Sequence, residues 1–413
     1  MIKFDKFTLE NGLKVIVHKD ITSPLAAVNL LYDVGAKDES PDKTGFAHLF
    51  EHLMFGGSVN IPSFDTPLQE AGGENNAFTN NDYTNYYEIV PKHNLETAFW
   101  LESDRMLSLA FSEKSLEVQQ NVVVEEFKQR YFSQPYGDVW LHLRPLAYKV
   151  HPYAWATIGK EISHVQNAKI QDVKDFFYSH YAPNNAILAV AGDVETEEIK
   201  RLAEKWFGSI EKRKTKKRNL PPEPVQTEAR FLKLERDVPY DAVYKAYHMS
   251  ERRNPKYYTA DLISDILSGG KSSRFYQSLI KEQKLFSNID AYHTGHIEEG
   301  LFVISGKLTE GISFETAEKA IDSEIQKICT EKVSEIELQK VKNKAESAFL
   351  FAETNSEGKA MNLCYFELLG DAAEINKETE KYTAVSAEDI LTESQNIFNP
   401  ENCSTLHYAA VRK

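Results

Sequence analysis

Two hydrophobic periods take turns along this chain. Val15–His18, Ala26–Tyr32, Tyr86–Val90 and Ala186–Ala191 run apolar or alternate apolar with polar residues, the pattern of strands. Leu95–Leu109, Ser115–Tyr131, Ile170–Tyr178 and Thr196–Trp206 repeat their apolar residues at helical spacing. The mixture predicts an α+β fold, with helices packed on one face of a mainly antiparallel sheet.

The pattern also repeats on a larger scale. His48-Leu-Phe-Glu-His-Leu-Met-Phe-Gly-Gly57 lines up with Asp261-Leu-Ile-Ser-Asp-Ile-Leu-Ser-Gly-Gly270 in its apolar positions and its terminal Gly-Gly. Upstream, Ala27–Tyr32 and Ala242–Tyr247 lie at similar distances and read as strands feeding those helices. Between the copies, the basic run and prolines of 209–225 read as a solvated, semi-rigid linker. The chain thus divides into an N-terminal domain over 1–210, a linker over 211–224 and a homologous C-terminal domain over 225–413. A length of 413 residues suits two cores better than one.

Composition narrows the classes. No apolar run approaches the roughly 18 residues that a membrane span needs. The first residues show no charged-then-apolar leader, so the chain reads as cytoplasmic as written, or periplasmic if a presequence has been removed. Cys329, Cys364 and Cys403 are odd in number and read as free thiols. A net charge of −14 argues against nucleic acid as a partner.

The candidate chemistry sits in Gly45–Gly57. His48, Glu51 and His52 spell H-x-x-E-H, and residues at i, i+3 and i+4 of a helix share one face. Imidazoles ligate zinc, and a carboxylate beside them can take a proton from water. The surrounding Phe46, Leu49, Phe50, Leu53, Met54 and Phe55 would bury the helix, and buried polar groups need partners or a task. Gly56-Gly57 is expected to end it. A catalytic zinc needs a third ligand from elsewhere. The helix Ser115–Arg130 offers Glu125 and Glu126, and spacing alone does not separate them. In the second copy Asp261, Ser264 and Asp265 replace the motif and cannot repeat its chemistry.

Several stretches together resemble the pitrilysin, insulin-degrading enzyme and mitochondrial processing peptidase family of zinc peptidases, called inverzincins for their reversed motif. They are Gly45–Gly57, Gly72–Tyr87, Val122–Phe127, His151-Pro-Tyr with Ile158-Gly159, Tyr181–Ala186 with Ala191-Gly-Asp193, and Gly269–Gln277. The likeness is to the short bacterial-type zinc subunit. It implies two homologous α/β-sandwich domains and a zinc metalloendopeptidase that cuts peptides or unfolded segments inside a closed chamber. It implies one zinc per chain, held by His48, His52 and Glu126, with Glu51 activating water. Gln119 stands two turns before Glu126, where the family usually has a Glu beside the ligands. Asn75, Asn76, Ala77, Phe78 and Thr79 match the edge strand that binds peptide; without the resemblance, Gly-Gly-x-Asn-Asn is turn chemistry before a strand.

One departure bears on partners. The family's second half carries an Arg and a Tyr, seven residues apart, that contact substrate; here Ile280 and Ser287 occupy those positions. The expectation is a dimer, and specifically a heterodimer with a sister subunit that supplies the Arg–Tyr pair. A homodimer with another substrate clamp is the competing arrangement. A non-catalytic structural subunit on the same fold is the alternative function.

Overall fold

The computed structural model describes residues 1–215 and 218–411. Strands β1 (Asp5–Thr8), β2 (Lys14–Lys19), β3 (Leu25–Tyr32), β4 (Glu74–Thr79), β5 (Thr84–Pro91) and β6 (Ala186–Gly192) form one sheet in the order β1-β2-β6-β3-β5-β4. Strands β7 (Arg230–Arg236), β8 (Ala242–Met249), β9 (Phe286–His293), β10 (Gly300–Leu308) and β11 (Cys403–Ala410) form another, in the order β7-β11-β8-β10-β9. β2 pairs with β6 in parallel, as β7 does with β11, and all other neighbours are antiparallel. Apart from β1, the two sheets therefore share one topology, strand for strand. The duplication read from the apolar pattern has its counterpart here.

The chain divides into two compact units. One comprises Met1–Lys128, Trp155–Leu220 and Leu350–Lys377; the other comprises Gln129–Ala154, Pro221–Phe349 and Glu378–Lys413. These units cross the linear halves drawn from the sequence, and strand burial gives the reason. In β3, residues from Ala26 to Tyr32 are buried without alternation, as is all of β6. Both faces of these strands are therefore covered, whereas helices on a single face were expected. On one face the Tyr32 ring meets those of Tyr86 and Tyr181, and Tyr181 stacks in turn on Phe50 of the motif helix α1 (Phe46–Leu53). The opposite face carries Asn29, and there helix Ser356–Leu369 brings Cys364 within 3.6 Å of the Asn29 carbonyl and 3.4 Å of that of Ile187.

The second unit does the reciprocal thing. Val243, Tyr247 and Met249 of β8 pack with helix Lys256–Ser268, while Ala242 and Ala246 face helix Val139–Ala147 through Val139, Leu143 and Ala147. Each unit thus takes the cover for its second face from the other half of the chain. Burying one such Leu, Val or Phe contributes about 1.5–3 kcal/mol, which a one-sided sheet would forgo at every second position.

The basic run is not simply solvated. Lys216 and Lys217 lie outside the described residues. Arg213 donates to the carbonyls of Tyr181, Met106 and Leu107, and Arg218 grips Asp38 at 2.7 Å and Asp33 at 2.9 Å. Farther on, the Glu223 carboxylate accepts the backbone N–H groups of Lys149, Val150 and His151. All three cysteines are free thiols, as expected. No helix of the described residues is long and apolar enough to cross a membrane.

Candidate metal centre

Helix α1 has eight residues, too few to be stable alone, so its surroundings must fix it. Phe46, Leu49, Phe50 and Leu53 are buried, and the Phe50 ring stacks on Phe176 and Tyr181 at 5.1 Å each. The helix starts at Gly45, whose φ is +86°; a β-carbon there would fall 2.6 Å from the Ile158 carbonyl oxygen, so only glycine fits. Its first turn is clamped by Glu39. That buried carboxylate accepts the N–H groups of Gly45 and Ala47 at 2.9 Å each, and Nε1–H of Trp155 at 3.1 Å. Burial pushes the Glu39 carboxyl up to about 8; the three donors oppose the rise and the charge of Asp38 adds to it. At the other end regular helix stops at Leu53, and the turn closes at Gly57, with φ +100°. The helix therefore ends before Gly56-Gly57, and its last carbonyls, those of His52 and Leu53, accept the N–H groups of Phe55 and Gly56 in a tighter turn.

His48 and His52 project from one face, ring centroids 4.9 Å apart and nearly perpendicular at 80°. The third group arrives from α2 (Glu113–Tyr131). Glu126 Oε2 lies 3.6 Å from His48 Nε2 and 3.4 Å from His52 Nε2. Ligands at about 2.0–2.1 Å from a tetrahedral ion stand about 3.3–3.4 Å apart. The spacing and the donor set of two imidazoles and one carboxylate fit zinc. Glu125, turned by about 100° along the helix, points away. Its side chain is 71% exposed and pairs with Lys128 at 2.6 Å. Helix rotation thus makes the choice that spacing left open.

Glu51 stands beside the trio. Burial raises its carboxyl above the usual range, the neighbouring charge of Glu126 adds to this, and Thr79 and His52 oppose it. Thr79 ends β4, which has β5 as its only partner among the described strands. In β4 the Ala77 N–H is taken by the Asn76 side chain at 2.8 Å and not by β5. The N–H groups of Asn75, Ala77 and Thr79 consequently face the open edge. Asn75 donates to Asp65 at 2.9 Å, and the Phe78 ring meets Tyr83 at 5.8 Å.

The other expected groups lie elsewhere. Gln119 makes no hydrogen bond with His48, His52 or Glu126 among the described residues; its Nε2 lies 3.9 Å from where a β-carbon on Gly56 would be. Ile280 packs against the hydrophobic core of its unit, and Ser287 donates to the Lys307 carbonyl at 3.3 Å. In the second copy Asp261 pairs with His293 at 3.0 Å and accepts from Tyr382 at 2.6 Å, and Asp265 pairs with Lys344 at 2.5 Å. Those carboxylates are spent on structure.

Sequence reasoning missed two supports. Glu39 lies six residues before Gly45, outside any short capping spacing. Arg105, fully buried, lies 4.2 Å over both Phe64 and Tyr86 and 5.4 Å over Phe55, held by Glu102 and, at 3.3 Å, by Glu88. It pins the segment that leaves α1, and a lone Arg in a helix carries no signal of that.

Residues 14–159 match the family described as insulinase (peptidase family M16), and residues 167–345 match the peptidase M16 inactive domain. The chain is 27% identical over 410 residues to the zinc protease PqqE of Helicobacter pylori, covering 98% of this chain and 92% of that one. It is 24% identical to a probable mitochondrial-processing peptidase subunit beta of Arabidopsis thaliana, covering 83% of this chain and 66% of that one. A crystal structure of a protease from Helicobacter pylori superposes with a TM-score of 0.92 at 26% identity, over 99% of this chain and 100% of the other.

Proposed function

The chain belongs to peptidase family M16, and from that premise we propose that it is a zinc-dependent metalloendopeptidase. The observation that carries this reading is the convergence of His48, His52 and Glu126, within 4.8 Å of one another, with Glu51 on the same helix face. His48, His52 and Glu126 would hold one zinc per chain. Bound there, zinc would polarise a scissile carbonyl and acidify water. Glu51 takes the proton of the attacking water and passes it to the leaving amine. The open edge of β4 receives an extended peptide by main-chain hydrogen bonds, which makes recognition tolerant of sequence. The substrates are peptides or unfolded segments that enter a chamber closed by a second subunit.

Ile280 and Ser287 favour a heterodimer, because the groups that resemblance places there are absent from this chain. A sister subunit with an Arg–Tyr pair would supply positioning and charge at the transition state. The same absence is what a non-catalytic subunit would show, but such a subunit has no use for the intact quartet.

The test is cleavage of a quenched-fluorescent peptide mixture by the purified chain, with zinc content measured on the same sample and Glu51→Gln as control. Zinc-bound protein with Glu51-dependent cleavage supports a self-sufficient peptidase. Zinc-bound but silent protein supports the borrowed pair. Protein that takes up no zinc sinks the reading.

A further inference from the structure

Arg105, Arg218, Arg252 and Arg274 each grip a carboxylate. Half-buried Arg144 has no carboxylate partner among the described residues, and unlike Arg213, whose guanidinium is met by three carbonyls, it has only one acceptor. Its Nη1 donates to the Tyr153 carbonyl at 3.2 Å, and its guanidinium lies 5.1 Å over the Trp140 ring. Nε makes no hydrogen bond and is sealed from solvent; Nη2 makes none either and remains open. Tyr131, Tyr148, Tyr153 and Tyr292 lie near enough to act on its charge, all in the same compact unit.

None of these neighbours is an anion. The Tyr148 hydroxyl donates to the Glu299 carbonyl at 3.0 Å, and the Tyr153 hydroxyl accepts the Glu298 N–H at 3.1 Å. Burial pulls the guanidinium below its usual range, the direction expected of a cation without a counter-charge. A guanidinium has five N–H donors, and leaving them largely unmade in an aromatic setting is costly unless something else accepts them. The planar fork matches a carboxylate, and the rings offer apolar surface to whatever carries it.

We propose that Arg144, set against the Trp140 ring, is a receptor for a peptide carboxylate, presented through Nη2 and Nη1. The carboxylate is either the C-terminal group of a substrate or an Asp or Glu side chain. This inference rests on the peptidase reading for its ligand class but not for its test.

The test uses the full chain carrying Glu51→Gln, so that peptides stay intact, and fluorescence anisotropy with labelled peptides in matched pairs. One pair differs in a free or amidated C-terminus, the other in an internal Glu or Gln. The charged member of one pair is expected to bind about tenfold tighter, the scale of one charge-assisted contact, and the pair that shows it identifies the source. Arg144→Met should erase the difference without weakening the neutral peptide, and Arg144→Lys should keep part of it. Equal binding within both pairs overturns the proposal, as does a preference that survives Arg144→Met. If Arg144→Met fails to fold, the parent's ratios and the Arg144→Lys series decide. Cleavage by the unmodified chain is scored separately, so a failed peptidase reading is distinguishable from a failed receptor.

Discussion

The Glu39 carboxylate holds the N–H of Ala47 at 2.9 Å, one residue before the first histidine of the motif. A buried acid thus fixes the start of the helix that carries the candidate ligands. Its carboxyl is pushed up to about 8, from an ordinary 4.5, chiefly by burial. The native state therefore holds a proton that the unfolded chain has lost, throughout the window between those values. Stability should fall as pH rises across that window, by at most about 1.4 kcal/mol per unit, and level off above it. Glu39→Gln cannot titrate and should lack this slope. Urea melts of chelator-treated protein from pH 5 to 8 check it, and parallel curves for the two proteins would refute the buried-acid account.

The ligand set makes a contrast between adjacent residues. Glu126→Gln should sharply reduce zinc content, while Glu125→Gln should leave it unchanged, because Glu125 faces solvent beside Lys128. Zinc at about a hundred times its dissociation constant should stabilise the parent by about 2.7 kcal/mol, and should not stabilise His48→Ala. Metal analysis and melting with and without chelator measure both.

Much of this was legible in the chain. The i, i+3, i+4 spacing of His48, Glu51 and His52 specifies a shared face once a helix is granted, and the apolar Phe46, Leu49, Phe50 and Leu53 grant it. Glu126 was not legible from spacing, because the choice against Glu125 depends on the direction from which α2 approaches α1. The exchanged helices Val139–Ala147 and Ser356–Leu369 were also hidden. Their apolar stripes say that they are covered, but not by which sheet. Glu39 and Arg105 act through partners distant in sequence, and no local pattern marks them.

Arg105 offers a large stability effect. It is fully buried between Glu88 and Glu102, also fully buried, and Glu88 is already driven toward its neutral form by burial and by Glu102. Arg105→Met would leave two acids facing each other without a cation. The expected loss is about 3–5 kcal/mol. Lys128→Met, which breaks an exposed pair with Glu125, should cost under about 1 kcal/mol. Chemical denaturation of both variants gives the comparison, and similar losses would show that the buried pair is not what holds the turn after α1.

The edge of β4 gives the most direct test of peptide docking. Ala77 N–H faces away from β5 and is occupied by the Asn76 side chain, which mimics the carbonyl of an incoming strand. Proline removes an N–H, and on an outward position of an edge strand it does so without breaking the ladder. Ala77→Pro should therefore fold and bind zinc normally, yet raise KM for peptides by about tenfold, the scale of one lost main-chain contact. Asn76→Ala, which frees the same N–H from its internal acceptor, should shift KM in the opposite direction. Steady-state kinetics with zinc analysis on each variant, run with whatever partner activity requires, distinguishes the two. An unchanged KM for Ala77→Pro would mean that peptide does not add to this edge, and that Thr79 near Glu51 serves the helix alone.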